Sequence, residues 1–198
     1  MINQQKKNRL FVLLIFGMAI IPFAIAWILG GKASFIEGKT NKGQLITPVV
    51  ATERSDLTGM DGFSTDNIAE LKGHWVTLNV VPHEECNKIC LEAIHKTKQL
   101  RLMMNKDLTR TRRAVIFLKD VQPDVINQWL QDDKVLLKVK PSAALQKKIA
   151  EIRNGSIPDG LLLLMDPVGN LMMQYEPGFD PYKVKSDLMH LLRISQIG

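Results

Sequence analysis

Leu10 to Leu29, "LFVLLIFGMAIIPFAIAWIL", is a run of 20 residues without a charge. At about 1.5 Å of rise per residue, such a run matches the roughly 30 Å hydrocarbon core of a bilayer when it is helical. Lys6, Lys7 and Arg9 stand just ahead of it. Positive flanks stay on the cytoplasmic side, so the chain from Gly30 onward is expected on the far side of the membrane. A cleaved signal peptide is the competing reading, because "AIA" at Ala24 to Ala26 fits a small-residue cleavage site. Apolar character nevertheless continues through Trp27, Ile28 and Leu29, which gives the run the length of an anchor rather than of a signal core. On either reading the rest of the chain works outside the cytoplasm.

With the anchor set aside, the 198-residue chain retains enough length for one domain of ordinary size and its core. Three of the 26 basic residues flank the anchor, leaving 23 against 20 acidic residues, a net +3. That balance is too mild for a nucleic-acid binder, and no nucleic-acid partner is expected.

The chain divides into a cytoplasmic N-terminus (1–9), the anchor (10–29), a linker with an extended segment (30–71) and a folded domain (72–198). Between 30 and 64 the residues are rich in Gly, Thr, Lys and Asp, with one apolar patch, "QLITPVV", at Gln44 to Val50. That patch is expected to lie extended against the domain edge. "HWVTLNVV", His74 to Val81, reads as a buried strand ended by Pro82. A helical pattern follows from about Cys86 to Asn105, with Ile89, Ala93, Leu100 and Met104 at spacings of three, four and seven. "AVIFLK" is a second strand, "QPDVINQWLQ" a short helix, "KVLLKVK" a further strand, and "PSAALQKKIAEIR" a helix ended by Asn154-Gly155. "GLLLLMD" and "NLMMQYE" form a hairpin around "PVG", and the final helix starts at Asp180-Pro181. This alternation indicates an α/β fold with the first two strands parallel and the last pair antiparallel.

The only two cysteines, Cys86 and Cys90, stand in "HEECNKIC" at the join between the first strand and the first helix. A structural staple gains by closing a long loop, and this pair closes almost none, which shifts weight toward chemistry. On a helix four residues apart they lie about 40° from each other on one face, with Cα atoms about 6 Å apart, so a reversible bridge is sterically open. Unpaired amides and the positive end of the dipole in a first helical turn favour a thiolate, while Glu84 and Glu85 oppose it.

That order of elements, with two cysteines at the strand–helix join, resembles the thioredoxin fold. The anchor, the CxxxC spacing, "GHWVTLNVVPHEECNKIC" and "DPVGNLMMQY" narrow the resemblance to the membrane-anchored Sco/SenC family. These are thioredoxin-like proteins that serve copper insertion into cytochrome c oxidase. The resemblance covers about Lys72 to Ile197; "KQLRLMMNKDLTRTRRAVIF" and "LMHLLRISQIG" look closer still to a Sco-like subgroup found with proteobacterial terminal-oxidase genes. It implies an α/β, thioredoxin-like fold with an N-terminal transmembrane helix, a place in the bacterial inner membrane with the domain in the periplasm, and a terminal-oxidase subunit or its copper-site cysteines as partner. Residues 10–29 make the membrane contact.

In the family the third copper ligand is a histidine from the loop before the penultimate strand. Here that loop reads "NGSIPDGLLLL", and no histidine occurs between His95 and His190. His74 lies about 23 Å back along the strand, and His95 falls on the opposite face of the helix. His83, three residues before Cys86, is the candidate replacement in an HxxCxxxC clamp of Cys86, Cys90 and His83; the competing reading is a solvated loop residue. Proline usually follows each cysteine in the family, whereas Asn87 and Leu91 follow here. Pro158 occupies the region where thioredoxin folds carry a cis-proline, and a trans turn proline is the alternative. Lys96, Lys98, Arg101, Lys106, Arg110, Arg112 and Arg113 form either a docking patch or a solvated helix face. Two functions remain open. One is a dithiol/disulfide protein of oxidase assembly, with Cys86 attacking, Cys90 resolving and copper carried transiently. The other is a non-catalytic scaffold whose cysteines are structural.

Overall fold

The computed structural model describes residues 4–30, 41–130 and 133–195. It falls into two units, Met1–Thr40 and Asn41–Gly198. The first contains helix α1, Gln4–Gly30. Its stretch Lys6–Ile28 has a mean hydropathy of 2.6 and is long and apolar enough to cross a membrane. Leu10, Phe11, Leu13, Phe16 and Trp27 are all exposed, so the helix presents apolar side chains all round. Residues 31–40, expected as linker, lie outside the described residues.

The second unit is one seven-stranded mixed sheet with helices on both faces. Its strands are β1 (Gln44–Ala51), β2 (Leu57–Gly59), β3 (Trp75–Val81), β4 (Thr111–Phe117), β5 (Leu137–Pro141), β6 (Leu162–Met165) and β7 (Asn170–Tyr175). Its helices are α2 (Gly62–Asn67), α3 (Lys88–Leu102), α4 (Pro123–Leu130), α5 (Ala143–Ile152) and α6 (Pro181–Ile194). Strand order is β1-β7-β6-β3-β4-β5-β2. β3 pairs in parallel with β4, and β4 with β5, while the β3–β6, β6–β7, β1–β7 and β2–β5 pairs are antiparallel.

Every residue of β3 is buried, as a central strand covered on both faces requires. Val76, Leu78 and Val80 face one core with Leu145 and Ile149 of α5. Trp75 faces the other core, with Ala93 and Leu100 of α3 and Val184, Leu188 and Leu192 of α6. The expected hairpin is formed by β6 and β7, and Asp166 makes its turn by accepting from the amides of Val168, Gly169 and Asn170. Ser142 caps α5 and Asp180 caps α6, with Pro181 at the first helical position.

The compact unit begins at Asn41, ahead of the domain start expected at 72. β1 does lie extended along the sheet edge, against β7. Beyond it, however, residues 57–71 supply β2, α2 and a 3-10 turn, Ile68–Leu71. β2 is too short for any periodicity to reveal. It is held instead by Asp56, which accepts the Ser142 hydroxyl at 2.6 Å while its own carbonyl accepts the Ser142 amide. At the other sheet edge the buried Asp187 accepts from the amides of Lys42 and Gly43 and from the Tyr175 hydroxyl. Burial first, and the Asp187 carboxylate second, push the Tyr175 hydroxyl well above the usual phenol range.

The basic run also resolves differently from a docking patch. Arg113 is 4% exposed. Its Nη1 donates to Asp133 at 2.7 Å, and its Nη2 to the Ile94 carbonyl and the Thr97 hydroxyl. Thr97 in turn donates to Asn79 of β3 at 2.7 Å. Arg112 pairs with Glu70, and Arg110 donates to the carbonyls of Leu192 and Ser195, so these cations fasten elements to one another, while Lys96 pairs with Glu92 one turn away on α3.

Burial lowers the Arg113 pKa and the Asp133 carboxylate raises it again, with the lowering prevailing. Removing one partner strands the other charge: Asp133→Ala is expected to cost about 3–5 kcal/mol in denaturant unfolding, and the pair Arg113→Met, Asp133→Leu much less. Hydrogen bonds from the Glu53 amide and the Ser142 hydroxyl hold the Asp56 carboxyl below its ordinary range. For Asp61, burial raises the pKa, but Ser64 and Lys138 outweigh it and the net shift is down. Depressed native values mean that the unfolded chain takes up protons first as pH falls. Thermal stability should therefore be flat on this account above about pH 5 and decline below about pH 4. Asp56→Asn should flatten that acid limb.

Candidate functional site at the strand–helix join

β3 delivers the chain at Val81 and Pro82 to the open end of the parallel pair, and α3 carries it back. Cys86 lies in the intervening turn and Cys90 in the first turn of α3, and the two are joined as a disulfide with Cα atoms 5.3 Å apart. The spacing therefore brings the sulfurs together as expected, but by a different route. α3 begins at Lys88 with Asn87 as its cap, so Cys86 precedes the helix and only Cys90 lies within it. The expected start at Cys86 is two residues early. Asn87 is itself the missed signal, a favoured capping residue just ahead of the periodic pattern.

The cap also changes the electrostatics. Asn87 Oδ1 accepts from the amides of Ile89 at 3.0 Å and Cys90 at 3.1 Å. Two of the first-turn donors expected to serve a thiolate are thus already engaged. Asn87 Nδ2 donates to Asp159 Oδ2 at 2.7 Å. Asp159 belongs to "SIPDG", the loop ahead of β6, which packs hard against this turn. A Cβ on Gly160 would stand 2.9 Å from Ile89 Cγ2 and 3.1 Å from the Ile89 carbonyl oxygen, and Gly160 has φ of +82°. Glycine is required there on both grounds. Neither Asn87 nor Asp159 was singled out as functional in the sequence. Asp159 is 72 residues from Asn87, and no local pattern links them.

Cys86 is 6% exposed and Cys90 1%. Both sit in a cluster with Val81, Ile94, Phe117 and Ile126, with Met60 packed against it. Cys86 is the more accessible of the two and precedes the helix. His83 is exposed in the loop between β3 and α3. Among the described residues no three His, Cys, Asp or Glu side chains are grouped to hold a metal ion. A disulfide offers no thiolate, so copper could be taken up through Cys86 and Cys90 only after reduction. Of the other histidines, His74 Nδ1 hydrogen-bonds the Glu70 carbonyl, His95 is exposed beside Gln99, and His190 is exposed on α6. The paired methionines serve packing, with Met104 and Met173 buried and Met103 and Met172 packed on the same core. Pro158 is not a cis-proline; the cis bond among the described residues is Thr47-Pro48.

No curated protein sequence matches the chain. Solved structures do match it. Yeast Sco1 with copper bound has a TM-score of 0.54 at 16% identity, covering 80% of this chain and 96% of that one. Apo Sco1 from Thermus thermophilus has a TM-score of 0.54 at 14% identity, covering 77% and 97%. BsSco, the Bacillus protein in which a disulfide switch was identified and a member of the Sco family of cytochrome c oxidase assembly proteins, has 0.52 at 14% identity, covering 79% and 99%. The resemblance to Sco proteins therefore holds in the fold. A family model described as "Transmembrane-like, thioredoxin-like, C-terminal domain" matches residues 75–195, the span from the start of β3 to the residue after α6. The chain belongs to this family of transmembrane-like, thioredoxin-like C-terminal domains.

Proposed function

We propose that the chain is a single-pass protein of the bacterial inner membrane whose periplasmic thioredoxin-like domain assists the assembly of a terminal oxidase through Cys86 and Cys90. The observation that carries this reading is the Cys86–Cys90 bridge at the strand–helix join of a Sco-like fold. A protein-bound dithiol there can reduce the copper-site cysteines of an oxidase subunit. The Cys86 thiolate attacks the target disulfide, forms a mixed disulfide and releases one target thiolate. The Cys90 thiolate then attacks Cys86 Sγ, restores the internal bridge and releases the second target thiolate. Two electrons pass to the target, and a donor dithiol protein returns them to the bridge.

Copper enters this reading as cargo. The reduced pair presents two soft thiolates suited to Cu(I), with His83 as the third donor from the same loop. A second reading, a scaffold whose bridge is structural, draws on one specific observation: the low exposure of both cysteines.

Replacement of both cysteines by serine separates the two. With membrane insertion intact, the Cys86→Ser, Cys90→Ser variant should lose most of the oxidase copper centre and activity in cells. Undiminished oxidase activity would leave the scaffold. For the cargo, anaerobic Cu(I) titration of the reduced full chain in detergent, against a competing chelator, should give one-to-one binding. Removing one of three donors in His83→Ala should weaken it by about tenfold or more. Equal affinity in both proteins removes His83 from the ligand set.

A further inference from the structure

The loop ahead of β6 reaches the disulfide through one side chain, and that contact has a direction. Asn87 is held with its oxygen toward the helix amides and its nitrogen toward Asp159. Only this orientation caps α3, because the carboxamide nitrogen cannot accept a hydrogen bond. Asp159 Oδ2, an obligate acceptor, fixes it. The other oxygen, Oδ1, is buried with no hydrogen-bond partner. Leaving such an atom unpaired costs about 1–3 kcal/mol, and a cap needs no such atom: Asp180 caps α6 through its own carboxylate, accepting from the Tyr182 amide. The placement of Asp159 thus calls for a role beyond folding.

The Cys90 amide is the donor at issue. In the bridged form Cys86 Sγ is bonded to Cys90 Sγ and so lies beside the first turn of α3, next to its amides, at the moment the bond is cleaved. A helix N-terminus stabilises a reduced sulfur by donating its free amides. Here Asn87 Oδ1 already takes the amides of Ile89 and Cys90. The cap and the reduced sulfur compete for the same donors. The disulfide sulfur is a poor acceptor and loses nothing by the competition, whereas the reduced sulfur does.

We infer that Asp159 is a positioning residue that sets the redox poise of the Cys86–Cys90 pair. By orienting Asn87 it keeps the first-turn amides of α3 from the reduced Cys86 sulfur and so favours the disulfide. This inference rests on the thiol reading above and names the device that would tune it: a strongly reducing pair, suited to giving electrons to a target rather than taking them.

The test is the reduction potential of the full chain in detergent, measured by equilibration with dithiothreitol buffers at fixed pH and followed by thiol alkylation. Asn87→Ala and Asp159→Ala should each raise the potential, shifting the dithiol/disulfide equilibrium roughly threefold to tenfold toward the dithiol, or about 14–30 mV for a two-electron couple. Asp159→Asn keeps an acceptor oxygen without the charge and should stay close to the wild type. Thermal unfolding of oxidised and reduced forms provides the control. A purely structural cap would lower both forms equally and leave the potential where it was, which overturns the inference. So does an Asp159→Asn shift as large as that of Asp159→Ala, since the charge rather than the orientation would then be responsible. The potential is read on the isolated protein, whereas the oxidase assay of the double serine variant is read in cells. A shifted potential with undiminished oxidase activity would therefore sustain the tuning while removing the assembly role.

Discussion

The position of α3 depends on one buried cation. Arg113 enters the interior from β4 and ties together three parts of the chain: the Ile94 carbonyl and Thr97 hydroxyl on α3, Asp133 beyond α4, and through Thr97 the Asn79 side chain on β3. Apolar packing by itself permits a helix to slide along or rotate on a sheet at modest cost. A guanidinium with its fixed fork of donors does not, because each displacement leaves a buried charge partly unpaired. Since Cys90 lies on α3 and Cys86 immediately before it, the register of the disulfide on the sheet follows from this cluster.

Around that fixed helix the rest of the site is assembled by contact between distant loops. Asn87 ends the β3–α3 turn and Asp159 ends the connection from α5, and they meet over the first turn of α3. Gly160 allows the approach, because any side chain there would run into Ile89. The cysteine pair is therefore enclosed on one side by apolar residues, among them Val81 and Phe117, and on the other by a small polar link. Its chemistry is set by which of these neighbours yields when the bridge opens.

Much of this architecture was legible in the chain. β3, β4, the β6–β7 hairpin and the capped helix α6 carry long apolar runs or strong punctuation, and the antiparallel and parallel pairings follow from them. β2 and α2 were not legible: three strand residues and one and a half helical turns carry too little pattern. The meeting of Cys86 and Cys90 could be read from spacing alone, but the helix start could not be placed until Asn87 was recognised as a cap. Arg113 was misjudged with its basic neighbours because a charge run gives no hint of which member points inward. Its place next to "AVIF" in a strand, where alternate residues turn to the same face, was the available clue. The Asp159–Asn87 contact had no signal in sequence, since it is made only by the tertiary fold.

The clasp between Asp187 and the amides of Lys42 and Gly43 joins residues 145 and 144 positions apart in the chain, and β1 beside it pairs with β7. During synthesis the first strand to appear is consequently among the last to find its partner. Loop closure over so long a separation must wait for α6, so the edge of the sheet stays unpaired while the central strands form. Such an edge is a template for other chains.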